Sequence, residues 1–162
     1  MGHPMKRLCT ICARGGSKGL PGKNIRPMGG EPLIVHSLLQ AQSSGLFDSV
    51  AVSSDSKEIL NISEKAGADY CVFRPKELAS DSAPKLPAIQ HCVNEVETIS
   101  GKTFDVIVDL DVTSPLRLIK DIAGAVRLLE DKNVSNVITG CPARRSPYFN
   151  LVERDEDGYV HL

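Results

Sequence analysis

The sequence predicts an α/β protein, a three-layer α/β/α sandwich built on a mostly parallel sheet. Short β-branched runs alternate with stretches of helical periodicity. No internal repeat or low-complexity tract interrupts that alternation, and glycines stand where several of the helices should stop. Strand–helix alternation of this kind joins parallel strands through right-handed crossovers and puts helices on the faces of the sheet.

The elements follow in order. The apolar run over residues 8–13 reads as the first strand. Leu33, Ile34, Leu38 and Ala41 then share one helical face, and Gly45 ends that helix. Residues 49–53 form a second strand. Asp55 with Glu58 has the pattern of a helix N-cap and its N3 partner, followed by Ile59, Leu60, Ile62 and Ala66 and stopped by Gly67. Residues 70–73 are a third strand, and Ile89, Cys92, Val93, Val96 and Ile99 mark the next helix. Residues 105–110 are a fourth strand, Ile122, Val126 and Leu129 lie on the helix after it, and residues 136–139 read as a fifth strand. The end of the chain, 151–162, reads as a hairpin turning at Asp157-Gly158.

Composition bounds the function. A chain of 162 residues can bury one substantial core, and no long linker divides it. Hydrophobic (41%) and charged (24%) fractions are those of an ordinary soluble globule. No apolar stretch approaches the ~18 residues of a membrane span, and residues 1–7 lack the apolar region of a signal peptide, so neither a membrane partner nor export is expected and the location is cytoplasmic. A formal net charge of −1 lacks the basic excess of a phosphate-tracking surface, which argues against a nucleic-acid partner. The five cysteines are an odd number, against a disulfide framework. Cys9 and Cys12 are spaced like a C-x-x-C motif, but on a strand, residues three apart point to opposite faces, so they read as buried small apolar residues. His36 and His91 have no ligand-like partner at i+4 and read as core or surface histidines.

The segment Ala13-Arg14-Gly15-Gly16-Ser17-Lys18-Gly19-Leu20-Pro21-Gly22-Lys23-Asn24 follows the first strand. Glycines let backbone N–H groups approach an anion closely, and three interleaved cations add charge where phosphate oxygens would sit. Its spacing is not that of a P-loop: five residues separate Gly16 from Gly22, and Asn24 stands where a hydroxyl is required. It does not supply the Rossmann G-x-G-x-x-G fingerprint either. Four candidate segments, 14–24, 74–85, 111–117 and 141–149, follow the first, third, fourth and fifth strands. In an open parallel sheet such loops emerge along one edge, where ligands bind.

Together with Leu78-Ala79-Ser80-Asp81 and Thr113-Ser114-Pro115-Leu116-Arg117, in that order, the glycine-rich segment resembles the CMP-sialic acid synthetases (acylneuraminate cytidylyltransferases), including relatives that activate other nonulosonic acids. The resemblance implies a nucleotide-diphospho-sugar transferase (Rossmann-like) fold. It implies an enzyme that couples CTP to a nine-carbon 2-keto acid sugar, giving CMP-sugar and pyrophosphate with Mg²⁺ as cofactor. It also implies a homodimer, with residues 1–147 as the nucleotidyltransferase domain and 148–162 as the start of a dimerisation hairpin. A CMP-Kdo synthetase and a catalytically silent nucleotide-binding or assembly module are the alternatives. Complete members are longer, so the chain is expected to bind CTP while making little CMP-sugar by itself.

Residue by residue, the resemblance assigns Arg14, Lys18 and Lys23 to the triphosphate, with Arg14 and Lys23 stabilising charge on the leaving phosphates. It assigns Asn24, Arg74 and Ala83 to the nucleotide. Lys85 departs from the small hydroxyl residues of many relatives, and a lysine solvated before a helix is the other reading. Asp111 stands where some relatives carry glutamine and reaches toward the acceptor sugar. It is also a candidate metal ligand, and an Asx-turn contact to the backbone of Thr113 is the alternative. Asp109 and Asp111 lie two apart on a strand end and face the same side, which favours either solvent exposure or a shared cation. Ser114, Arg117 and Arg144 are sugar-side candidates. Ser114-Pro115 can equally shape the turn, and Arg145 competes with Arg144 for a sugar carboxylate.

Overall fold

The computed structural model describes residues 5–140, 142 and 152–161. The first strand, β1 (Arg7–Cys12), leads through the glycine-rich loop to a short antiparallel pair, β2 (Pro27–Met28) and β3 (Glu31–Pro32), and then to α1 (Leu33–Ser44). There follow β4 (Ser49–Ser54), α2 (Lys57–Lys65), β5 (Tyr70–Phe73), α3 (Lys85–Ser100), β6 (Val106–Asp109) and α4 (Ile119–Lys132), and a small hairpin of β7 (Glu153–Arg154) and β8 (Val160–His161). The main sheet has the order β5-β4-β1-β6, all parallel. Its first four sequence-predicted strands and all four predicted helices are therefore present.

Alternation along β1 builds the two cores. Cys9, Ile11 and Ala13 face α1, α2 and α4, packing with Leu38, Ile59 and Ile122. Leu8 faces the other way and meets Cys92 and Val96 of α3. Three layers result, as expected, and Cys9 and Cys12 do lie on opposite faces of the strand. Arg7 ties α4 to the start of β1, its Nε and Nη2 donating to Oε1 and Oε2 of Glu130 at 2.7 and 3.0 Å.

Three local features differ from the sequence-based expectation. Residues 136–139 form no strand. Their β-branched side chains favour extended backbone, but a strand exists only where it is paired and half-buried, and here β6 is the edge of the sheet among the described residues while Ile138 is 67% exposed. The N-cap of α2 is Ser56, whose Oγ accepts from the Ile59 N–H, and not Asp55. Gly29 and Gly30 both have positive φ, the requirement of a two-residue I′ hairpin, and so make the β2–β3 turn that alternation alone did not reveal. The terminal hairpin is present: Gly158, at φ 88, donates to the Asp155 carbonyl and Tyr159 N–H to Asp155 Oδ1.

Leu38 is fully buried where α1 meets the sheet. Leu38→Ala should therefore destabilise the protein by about 2–5 kcal/mol, read as a fall in the midpoint of denaturant unfolding.

Candidate functional site

The C-terminal ends of β1, β5 and β6 open onto one cleft of about 320 Å³. Its walls come from three of the four predicted segments: Arg14, Lys23 and Asn24 after β1, Arg74 to Lys85 after β5, and Asp111 to Thr113 after β6. The fourth segment, with Arg144 and Arg145, lies outside the described residues apart from Pro142.

The glycine-rich loop is held from behind. Gly15 donates its N–H to Asp55 Oδ1 at 2.8 Å, and a Cβ on Gly15 would stand 2.9 Å from the Cβ of Ser56. Only glycine permits that approach, which anchors the loop on the turn after β4. Asp55, read from sequence as a helix cap, is the loop's acceptor instead. Asn24 is buried, and its Nδ2 donates to the Arg14 carbonyl at 2.9 Å, closing the loop on itself. Gly22, at φ 64, turns the chain into the short 3-10 turn Lys23–Ile25 that carries Lys23 to the rim.

Arg74 is a buried cation at the cleft floor. Its Nε donates to Ser53 Oγ at 3.1 Å and its Nη2 to the Ser53 carbonyl at 2.8 Å. These bonds fix the guanidinium against β4. The loop beyond it folds over the glycine-rich segment: Arg14 Nη1 donates to the Ser80 carbonyl at 3.3 Å and pairs with Asp81 at 2.7 Å. Lys18 pairs with the second oxygen of Asp81. The Lys18 hydrogen bond, with Arg14 beside it, holds the Asp81 carboxyl below its ordinary range. Lys18 lines a shallow second depression bounded by Gly16 and Ala79, next to the main cleft.

On the far wall Lys85 bridges two carboxylates, with Nζ 2.6 Å from Asp109 Oδ2 and 3.1 Å from Asp111 Oδ2. Both acids are fixed through their other oxygens. Asp109 Oδ1 accepts from the Thr10 hydroxyl at 3.0 Å, and Asp111 Oδ1 from the Thr113 N–H at 2.9 Å and hydroxyl at 2.7 Å. The Asx-turn at Asp111 is thus formed, and the shared cation of the acid pair is the lysine of this chain. Burial disfavours the Lys85 ammonium, but Asp109 and Asp111 outweigh it and raise its pKa. Burial also opposes ionisation of Asp111, yet the two Thr113 donors and Lys85 outweigh it and bring the carboxyl down to about 2.

Arg117 and Ser114 do not line the cleft. The Arg117 guanidinium donates to Ser37 Oγ, Gln40 Oε1 and the Asp111 carbonyl, fastening the loop after β6 to α1. Ser114 donates its N–H to the Asp111 carbonyl at 3.3 Å, part of the same turn. The Arg117 side chain and the Ser114 backbone therefore brace the turn that carries Asp111 into the wall. Ala83 does line the cleft, beside Pro84. Cys12 is also on the floor, but burial pushes its thiol up to about 11, so it is protonated at neutral pH and no nucleophile. No group of three or more His, Cys, Asp or Glu among the described residues could hold a metal ion. No helix among them is long and apolar enough to cross a membrane.

Because Asp111 ionises more readily folded than in its ordinary state, it stabilises the protein fully above pH 3.8, and that contribution fades as pH falls toward about 2. Asp111→Asn should flatten the decline in melting temperature across that window. An acid limb as steep as that of the unsubstituted protein would refute the pairing.

Comparison with known proteins places the chain in a family. The cytidylyltransferase family model matches residues 8–151. A CMP-N,N'-diacetyllegionaminic acid synthase of Campylobacter jejuni is 44% identical over 146 residues, covering 90% of this chain and 62% of its own length. An N-acylneuraminate cytidylyltransferase of Streptococcus agalactiae is 35% identical over 158 residues, covering 96% of this chain and 37% of its own. The chain thus spans less than two thirds of either relative. A solved CMP:2-keto-3-deoxy-manno-octonic acid synthetase complexed with CTP superposes with a TM-score of 0.64 at 21% identity, over 79% of this chain and 48% of that one, and shows the same fold. With its glycine-rich loop, its closing loop and its acidic wall all inside the matched span, the chain belongs to the cytidylyltransferase family.

Proposed function

We propose that the cleft binds CTP and that the protein transfers its cytidylyl group to a sialic-acid-like nonulosonic acid. The observation that carries this reading is the convergence of Arg14, Lys23 and Arg74 with the loop over residues 79–84 on one cleft at the sheet edge, within a family match that covers most of the chain. The relatives' printed substrates, a diacetylated legionaminic acid and an acylneuraminic acid, are both acidic nine-carbon sugars and point to the acceptor class.

In this reaction the anomeric hydroxyl oxygen of the sugar bonds to the α-phosphorus of CTP. The bond from that phosphorus to the bridging oxygen breaks, its electron pair leaves with pyrophosphate, and the hydroxyl proton passes to solvent. Negative charge grows on the leaving phosphates, so fixed cations there lower the barrier. Arg14 and Lys23 are the groups for that task, with Lys18 at the neighbouring rim. They can take phosphate oxygens by exchanging partners, since Arg14 and Lys18 are already paired with a carboxylate, Asp81. Backbone groups near Ala83 and Pro84 suit the cytosine edge, while Asn24 and Arg74 act mainly by holding the walls. Asp111 lies on the wall opposite Arg14 and is the acceptor-side residue.

A divalent ion, Mg²⁺ by the chemistry of triphosphates, fits the donor set. Asp109 Oδ2 and Asp111 Oδ2 converge on one point already occupied by positive charge, and Mg²⁺ is commonly held by one or two carboxylates plus phosphate oxygens and water. When bound, the ion shields the triphosphate and polarises its phosphoryl oxygens. We also propose that the protein is a cytoplasmic homodimer associating through the 148–162 hairpin, where Val152, Tyr159 and Val160 expose apolar surface.

A pyrophosphate-release assay across the four nucleoside triphosphates and a panel of 2-keto acid sugars tests the reading. CTP with a nonulosonic acid should be the productive pair. Arg14→Ala and Lys23→Ala should each lose about 2–4 kcal/mol of transition-state stabilisation, seen in kcat/KM. Turnover and nucleotide affinity unchanged in both variants would overturn the assignment, and a preference for eight-carbon Kdo would replace the acceptor.

A further inference from the structure

Lys85 opens α3, which among the described residues is the one helix packed on its face of the sheet. Side chains in the first turn of a helix lean back toward its N-terminus, which here overhangs the cleft. Its ammonium therefore lands between Asp109 and Asp111 rather than in solvent.

The two acids do not need the lysine to hold their positions. Thr10 anchors Asp109 from β1, and Thr113 anchors Asp111 through two donors, each on the oxygen that the lysine does not touch. Both remaining oxygens point at one shared position, and the acid at the strand end is only 17% exposed. Two carboxylates presented in this way bind whatever cation is at hand. In this chain the cation between them is covalently tethered.

We propose that Lys85 is a positioning residue that occupies the position a divalent cation would take between Asp109 and Asp111 and makes metal entry depend on the nucleotide. The tether gives the ammonium a high effective concentration, so a free divalent ion competes poorly. An incoming triphosphate changes the balance in two ways. Its oxygens supply the ligands that the carboxylate pair lacks, and they offer the ammonium a new anionic partner within reach of a flexible four-carbon stem. Metal and nucleotide then load together, and the ion is not sequestered in an idle cleft. This inference rests on the cleft being the CTP site.

The test is Mn²⁺ binding followed by electron paramagnetic resonance, with and without CTP, on the full chain and on Lys85→Met and Lys85→Gln. Both variants keep much of the stem and remove the charge, and circular dichroism identifies those that fold. Without nucleotide, the unsubstituted protein should bind Mn²⁺ weakly and a folded variant about tenfold tighter, a modest share of the Coulomb term of a half-exposed pair. Adding Asp111→Asn to either variant should abolish that gain. CTP should tighten Mn²⁺ binding to the unsubstituted protein far more than to the variants. Nucleotide-free Mn²⁺ affinity equal in the unsubstituted protein and a folded variant would overturn the proposal, even if the variant were less stable or less active. Failure of the unsubstituted protein to bind CTP by calorimetry would instead remove the assignment of the cleft, leaving the nucleotide-free comparison to judge Lys85.

Discussion

The register of β1 between its two neighbours is the constraint on which the cleft depends. Thr10 of β1 stands opposite Asp109 of β6, and Cys12 opposite Ser53 of β4. A slip by one residue in either pairing would send a strand's side chains to the wrong face of the sheet. On one side it would uncouple the Thr10 hydroxyl from Asp109, and on the other it would move Ser53 away from Arg74. The apolar alternation of Leu8, Cys9 and Ile11 makes such slips expensive, because each would carry fully buried side chains out of their cores. Packing energy spread over the whole sheet thus fixes the few polar atoms at its edge.

The same topology explains why loops distant in sequence share one site. β1 is flanked by a strand that follows it directly and by one reached only after two more crossovers, and the loops diverge at that junction. A crevice forms there in open parallel sheets. The glycine-rich loop enters it from β1, with Asp55 behind the loop and Asp109 and Asp111 beyond it. Gly15 is the point of contact with the wall behind, and its lack of a side chain sets how deep the loop can sit.

Much of this is legible in the sequence because it rests on local pattern. Helical and strand periodicity locates four strands and four helices, and the spacing of Arg14, Lys18 and Lys23 among glycines marks the loop after β1 that lines the cleft. The lysine–carboxylate bridge is only half visible. Two acids on one strand face imply a shared cation, but its source, Lys85, is contributed by a helix packed on the far face, and no local rule links those positions. Asp55 misleads for a related reason: an aspartate before a helix caps it in most settings, whereas here Ser56 takes the cap and frees Asp55 for Gly15. Residues 136–139 have strand composition, yet whether such a segment pairs depends on partners that its own residues do not encode. Arg117, a sugar-side candidate by resemblance, donates to Ser37, Gln40 and the Asp111 carbonyl, and its two α1 partners are distant in sequence and announced by no local pattern.

Opposite charges are paired within the cleft. Asp81 pairs with both Arg14 and Lys18, and Lys85 with both acids, so both signs that a metal–triphosphate carries are already represented by side chains. Such an arrangement keeps unpaired charge out of a half-buried space, where it would be costly. It also means that ligand affinity is the difference between new contacts and the internal pairs they replace, and that difference is smaller than a count of cations suggests. The exposed Asp81 pairs are weak and screened, so phosphate oxygens can displace them at little cost. In the Lys85 bridge Asp109 is the shielded acid, and both acids are anchored by neutral donors, so the bridge is best exchanged for a ligand that satisfies ammonium and carboxylates together. A bare anion satisfies only the first and a bare cation only the second, so under the proposed reading the metal-bound triphosphate is the species that matches both halves of the cleft.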